Sequence, residues 1–265
     1  MSQKMFRMPY PISFILEKTL LGEKMEWMDC ISNLKIKIFA DGADKASMLE
    51  MYQKPLIKGF TTNPTLMRKA GVTGYKGFAL DILRAIPDRP ISFEVLSDDF
   101  SEMEGQAREI SSWGENVYVK IPITNTKRQS SCELIKDLMR TGIKVNVTAI
   151  LTLDQVKGIA RVVKEGPPCY VSVFAGRIAD TGIDPVPIMA EAVEFLRVAP
   201  HAELIWASPR ELLNIFQADA IGCPIITVTH DILNKLHLVG NDLDAYSLDT
   251  VRMFYNDALK AEYAL

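Results

Sequence analysis

One lysine stands out by its neighbours. Lys120 lies in the run Val117-Tyr-Val-Lys-Ile-Pro122, and the flanking Val117, Val119, Ile121 and Pro122 are apolar. A lysine pointing inward from such a strand is poorly solvated, which disfavours the ammonium. Only the free amine attacks a carbonyl, so the setting suits imine formation. The same residue could instead be half of a buried ion pair, with Glu94 or Asp41 as partner. The local sequence leaves both readings open.

Other residues could handle the protons of such a reaction. Asp41 closes the run Ile38-Phe-Ala-Asp41. It could take a proton from a hydroxyl during carbon–carbon cleavage. It could equally cap a helix at 45–54 or shape a turn with Gly42. Glu94 ends Ser92-Phe-Glu94. Beside an amine it could shuttle protons through water, or simply compensate the lysine's charge. Asn63 precedes Pro64, as an N-cap precedes a proline at the first helical position. It could also bind substrate hydroxyls. Arg177 and Ser208-Pro-Arg210 suggest an anion site, with Ser208 capping a helix whose free N–H groups face a phosphate. The three histidines, His201, His230 and His237, form no HExxH and no ligand cluster, so no metal is expected.

These residues need a scaffold that gathers them. Short apolar runs recur at Lys35–Ala40, Ile57–Phe60, Ile91–Phe93, Val117–Val119, Ile143–Asn146, Tyr170–Val173, Leu204–Trp206 and Ile225–Val228. Each is followed by an amphipathic stretch of helical period, so the spacing is that of strand plus crossover helix. Thr152-Leu-Asp-Gln155, Ser130-Ser-Cys-Glu133 and Ser208-Pro-Arg-Glu211 read as capping boxes, with Gly142 and Gly166 as helix stops. Eight such repeats predict an α/β fold, a closed (β/α)8 TIM barrel. No GxGxxG follows the first strand, which argues against a dinucleotide fold. In such barrels the active site forms at the C-terminal strand ends. Those ends here carry Asp41, Thr61 to Asn63, Glu94, Lys120, Asn146 with Thr148, Ser172, Arg177, Ser208 with Arg210, and Thr227 to Asp231. The reading divides the chain into an N-terminal extension, 1–33, partly helical, and a barrel with a C-terminal helix, 34–265. The extension would cover the barrel bottom or meet another subunit. The last helix, near Leu248–Tyr263, would pack on the barrel or on a neighbour in a homo-oligomer.

The bulk numbers agree with an enzyme of this kind. A chain of 265 residues is close to the length of a one-domain barrel. With 48% hydrophobic and 24% charged residues it can bury a large core. A net charge of −3 offers no basic surface for nucleic acid. No apolar run is long enough to span a membrane, and no signal peptide is evident, so a cytoplasmic location is expected by default. Cys30, Cys132, Cys169 and Cys223 form no CxxC and read as reduced thiols.

The motifs together resemble the transaldolases, in particular the short class that includes the fructose-6-phosphate aldolases. The matching pieces run from about Lys35 to the C-terminus: Phe39-Ala-Asp41, Gly59-Phe-Thr-Thr-Asn-Pro64, Glu94, Val119-Lys-Ile-Pro122, Val145-Asn-Val-Thr-Ala149, Ser172-Val-Phe-Ala-Gly-Arg177 and Ala207-Ser-Pro-Arg210. The resemblance implies a class I, Schiff-base aldolase with Lys120 as the imine-forming residue and Asp41 as the acid/base. Glu94 would act through a water held by Thr148. Asn63, Asn146 and Ser172 would bind donor hydroxyls, and Arg177, Ser208 and Arg210 would hold the sugar phosphate. It implies transfer of a dihydroxyacetone unit between sugar phosphates, in the pentose phosphate route or on another ketose phosphate, with no cofactor. The aldolase branch has glutamine where Glu94 stands and tyrosine where Phe174 stands. Phenylalanine has no hydroxyl to help protonate the enamine, which favours a transferase over a lyase. The alternatives are a fructose-6-phosphate aldolase-type lyase and a catalytically silent scaffold barrel.

Overall fold

The computed structural model describes residues 27–263. They fall into two compact units, one made of residues 35–234 and the other of the flanking segments up to 34 and from 235.

The larger unit is built on eight parallel strands: β1 Lys37–Asp41, β2 Ile57–Thr61, β3 Ile91–Glu94, β4 Val117–Pro122, β5 Val145–Ile150, β6 Cys169–Val173, β7 Ala202–Trp206 and β8 Ile225–Thr229. They close in chain order, β8 pairing back to β1. All eight expected runs are strands, and the (β/α)8 barrel is confirmed. The strands are apolar on both faces because each is covered inside by the barrel core and outside by helices.

Side chains alternate along each strand, so residues two apart share a face. Inside the barrel, Phe39, Tyr118, Tyr170, Ile205, Ala207 and Ile225 form one apolar cluster, with Phe174 packed against it. Tyr118 and Tyr170 stack with centroids 4.1 Å apart, and Phe39 meets Tyr170 edge-on at 5.6 Å. Gly59 makes room for the Phe39 ring, since a Cβ there would lie 2.6 Å from it. Two residues before this plug, Lys37 and Glu203 pair at the N-terminal strand ends. Two residues after it, the inward face turns polar, with Asp41, Lys120, Ser172 and Thr227. The sequence period thus stacks an ion pair, an apolar plug and a reactive layer along one axis.

Local signals set several helix starts. Asn63 Oδ1 accepts from Leu66 N, and Pro64 opens helix Pro64–Lys69. Thr152 and Gln155 form the expected reciprocal capping box. Other expected caps fail. Helix Lys45–Tyr52 is capped by Asp44, not Asp41. The Ser130 box is absent: Ser131 occupies the N-cap without a side-chain bond, and its hydroxyl is buried without a partner among the described residues. Gly142 does end that helix with φ +86. Gly166 lies beyond the end of helix Leu153–Val162, whose cap is Val163.

None of the four cysteines is in a disulfide among the described residues. Burial pushes Cys169 and Cys223 up to about 12, so both stay protonated and unreactive. No cluster of metal-ligating side chains occurs among the described residues. No described helix is long and apolar enough to cross a membrane.

In the smaller unit, helix Trp27–Ser32 and the turn Leu236–Leu238 contribute the buried Cys30, Ile31 and Leu236. Helix Leu243–Lys260 starts at Asp242, which accepts from Ala245 N, and it buries none of its residues. Most of the 1–33 extension lies outside the described residues.

Candidate active site

The C-terminal strand ends open into a cavity of about 470 Å³. Its wall includes Asp41, Asn63, Glu94, Lys120, Thr148 and Ser172 from the first six strands and the turns after them. Phe174, Arg177, Ser208 and Arg210 close it on the β6–β7 side.

Lys120 is buried in the middle of this layer. Its Nζ donates to the Thr62 carbonyl at 2.9 Å and stands 3.2 Å from Glu94 Oε2. Register sets this pair, because Glu94 and Lys120 are direct neighbours on β3 and β4. The two readings of the lysine are therefore compatible: it is ion-paired, and it faces a cavity. Tyr75 fixes Glu94 from behind, its hydroxyl donating to the Glu94 carbonyl at 2.7 Å. Burial raises the Tyr75 phenol, which keeps it a donor.

Asp41 takes the Thr61 hydroxyl on Oδ1 at 2.7 Å, and Thr61 shares a second short contact with Thr227. Burial raises the Asp41 carboxyl above the ordinary range. The Lys120 ammonium and the Thr61 hydrogen bond oppose that rise, and Glu94 adds to it. A carboxyl so placed holds its proton more tightly than a solvated one.

Thr148 Oγ1 is buried and has no protein partner among the described residues. Thr148 lines the cavity with Glu94. Asn146 differs from expectation. It is fully buried, donates to Ser92 Oγ at 3.0 Å and accepts from Ser172 Oγ at 2.7 Å. It is not part of the cavity wall and instead orients Ser172 from below.

The anion end also differs from the sequence reading. Ser208 does not cap a helix. The helix after β7 begins at Leu213, and Ser208 sits at φ +60. Pro209 is therefore in the loop, not at a helical first position. The backbone N–H groups of Arg210 and Glu211 are already held by Asn214 Oδ1. The loop is shaped instead by Gly176: a Cβ there would lie 1.5 Å from the Ser208 carbonyl oxygen. Arg210 binds Asp180 through Nε and Nη2, and its Nη1 donates to Ser208 Oγ at 3.0 Å. Arg177 stands over the Phe174 ring at 5.6 Å. Ala149 also holds φ +60, so two strand ends at the cavity carry left-handed non-glycine residues. Such strain gathers where side chains must be aimed.

Sequence reading passed over Thr65, Leu66 and Lys69, which line the rim from helix Pro64–Lys69. Their spacing puts them on one helical face, but nothing in the sequence says that this face overlooks the site.

A profile described as Transaldolase/Fructose-6-phosphate aldolase matches residues 38–265. The chain belongs to that family. A "Probable transaldolase" of Methanococcus maripaludis is 33% identical over 81% of this chain and 97% of its own. Another of Dehalococcoides mccartyi is 32% identical over 76% and 90%. Remote structures share the fold alone. A protein titled "Putative Copper Homeostasis Protein CutC", of Streptococcus agalactiae, superposes with a TM-score of 0.57 at 12% identity, covering 72% of this chain and 97% of its own. A dihydrodipicolinate synthase of Rhodopseudomonas palustris superposes with 0.53 at 13%, over 85% and 80%. In this chain, each motif quoted from the sequence places at least one residue at the cavity, in the order of the strands.

Proposed function

We propose that this protein is a transaldolase. It carries a dihydroxyacetone unit on Lys120, from a ketose phosphate of the fructose 6-phosphate or sedoheptulose 7-phosphate type to an aldose phosphate. The observation that carries the reading is the inward layer in which buried Lys120 stands 3.2 Å from Glu94, with Asp41 on the same cavity wall.

The Lys120 amine attacks the ketose carbonyl and gives a carbinolamine. Glu94, through a water held at the free Thr148 hydroxyl, protonates the leaving hydroxyl, and water departs to leave the imine. Asp41 then takes the proton of the hydroxyl on the carbon beyond the breaking bond. That bond's electrons move toward the iminium, the shortened aldose leaves, and an enamine remains. For transfer, the enamine carbon attacks a new aldehyde and Asp41 returns the proton to its oxygen. Hydrolysis of the imine releases the lengthened ketose. Asn63 and Ser172 face the donor hydroxyls, with Asn146 orienting Ser172. Arg177, Ser208 and Arg210 form the phosphate end. The Arg210–Asp180 pair is bidentate but solvent-exposed, so an incoming phosphate competes with the carboxylate for the guanidinium.

The second reading is a lyase that releases free dihydroxyacetone. Phe174 at the cavity disfavours it, because no hydroxyl stands there to assist protonation of the enamine. Rapid release of dihydroxyacetone without an acceptor would favour the lyase.

The direct test is borohydride reduction with fructose 6-phosphate, then peptide mass spectrometry. Label on Lys120 is expected, and label elsewhere or none overturns the mechanism. Lys120→Ala abolishes trapping. It also leaves Glu94 unpaired, at a cost of about 3–5 kcal/mol, so the double variant Lys120→Met with Glu94→Gln serves as the folding control.

A further inference from the structure

Beside the main cavity lies a second chamber of about 390 Å³. It sits between helix Lys45–Tyr52, the end of helix Pro64–Lys69 and the segment after β8. Its floor includes Met48 and Met51, both buried, with Ala70 at the edge. Asp41, Leu66, Lys69 and Thr229 line both spaces. The shared wall therefore includes Asp41, the residue that must hand a proton to the acceptor's oxygen when the new bond forms.

The two spaces differ in charge. The β6–β7 end of the main cavity carries Arg177 and Arg210. The chamber carries the carboxylates Asp44 and Asp231, and Asp44 is held ionised by the Ser47 hydroxyl and N–H. Lys69 stands at the shared wall, and His230 Nε2 lies 3.4 Å from Glu50 Oε2. A phosphate meets two carboxylates there and, apart from the shared Lys69, no lysine or arginine. An uncharged chain meets apolar walls and two methionines that adapt to its shape.

We propose that this chamber is a second acceptor subsite, taking the tail of an uncharged aldehyde whose carbonyl rests at Asp41. The proposal rests on the transaldolase reading. The enamine carbon on Lys120 attacks the aldehyde carbon, the carbonyl π electrons move to oxygen, and that oxygen takes the Asp41 proton. Phosphorylated acceptors reach the same carboxyl from the arginine side. One nucleophile thus serves two acceptor classes.

The test uses Ala70→Trp, an exposed position that lines the chamber and not the main cavity. Donor loading on Lys120 is first checked by borohydride trapping with fructose 6-phosphate. Transfer to glyceraldehyde 3-phosphate and to butanal is then measured in both proteins. Butanal should be a substrate of the wild type. The variant should lose about tenfold or more in kcat/KM for butanal and keep its value for glyceraldehyde 3-phosphate. Equal loss for both acceptors, no loss for either, or a wild type inactive on butanal each overturns the subsite. A wild type that is not trapped at Lys120 overturns the transaldolase reading, and the subsite with it.

Discussion

Asp41 is placed at the expense of stability. Its carboxyl is raised by burial, so the folded protein binds that proton more tightly than the unfolded chain does. Folding therefore becomes less favourable as pH rises from the ordinary aspartate range, ~3.9, through the raised value. Above the ordinary aspartate range, burial of this carboxyl therefore opposes folding. Asp41→Asn removes that cost, and its amide oxygen can still accept the Thr61 hydroxyl. The variant should melt higher near pH 7, by roughly 2–4 °C for each kcal/mol relieved. The gain should vanish below the ordinary aspartate range, and carbon–carbon transfer should be lost. Thermal melts across pH, beside a transfer assay, check both halves; an unchanged or lower melting point near pH 7 contradicts the argument. Legibility at this scale follows from periodicity. Lys120, Glu94 and Asp41 could be read as inward groups because a strand alternates strictly. Asn146 shares that parity, yet the structure holds it just below the cavity, between Ser92 and Ser172. Depth along the barrel axis depends on the register of neighbouring strands, which no single strand encodes.

At the scale of elements, the proposed phosphate end depends on two turns that meet. The turn after β6 brings Gly176 against the Ser208 carbonyl of the turn after β7, and Gly176 N reaches the Ala207 carbonyl at 3.4 Å. Gly176→Ala cannot be accommodated without moving one backbone, since the added carbon would lie 1.5 Å from that oxygen. Overpacking of this kind costs about 1–3 kcal/mol. Displacing the phosphate end by an ångström should lower kcat/KM for phosphorylated donors on the order of 100-fold. Lys120 remains where it is, so borohydride trapping at saturating donor should persist. Full catalytic efficiency in this variant would show that the turn does not position the anion site. This contact joins residues far apart in sequence, which is why Ser208-Pro-Arg-Glu211 reads locally as a capping box and folds as something else. The Thr152 box and the Asn63 cap were legible because their partners lie within one helical turn.

At the scale of the whole molecule, barrel closure was legible from eight repeats, but the surroundings of the last helix were not. Helix Leu243–Lys260 leaves Leu243, Val251, Phe254, Tyr255 and Leu259 more than half exposed. Its sequence reads as an amphipathic helix with an apolar face to bury, and periodicity does not name the surface that covers it. A contiguous apolar face of this kind marks an interaction site. The expectation of a homo-oligomer rests on it, since a second copy is the partner always present at matching concentration. The full chain should scatter light as a multiple of its 29.7 kDa mass. A chain ending at Asp242 should fall to a smaller assembly while the barrel, whose strands all lie in residues 35–234, keeps its helical and strand content. Because Lys120, Glu94 and Asp41 all belong to that unit, trapping on Lys120 should survive the truncation. Identical mass and identical melting in the two chains would remove this helix from any role in assembly.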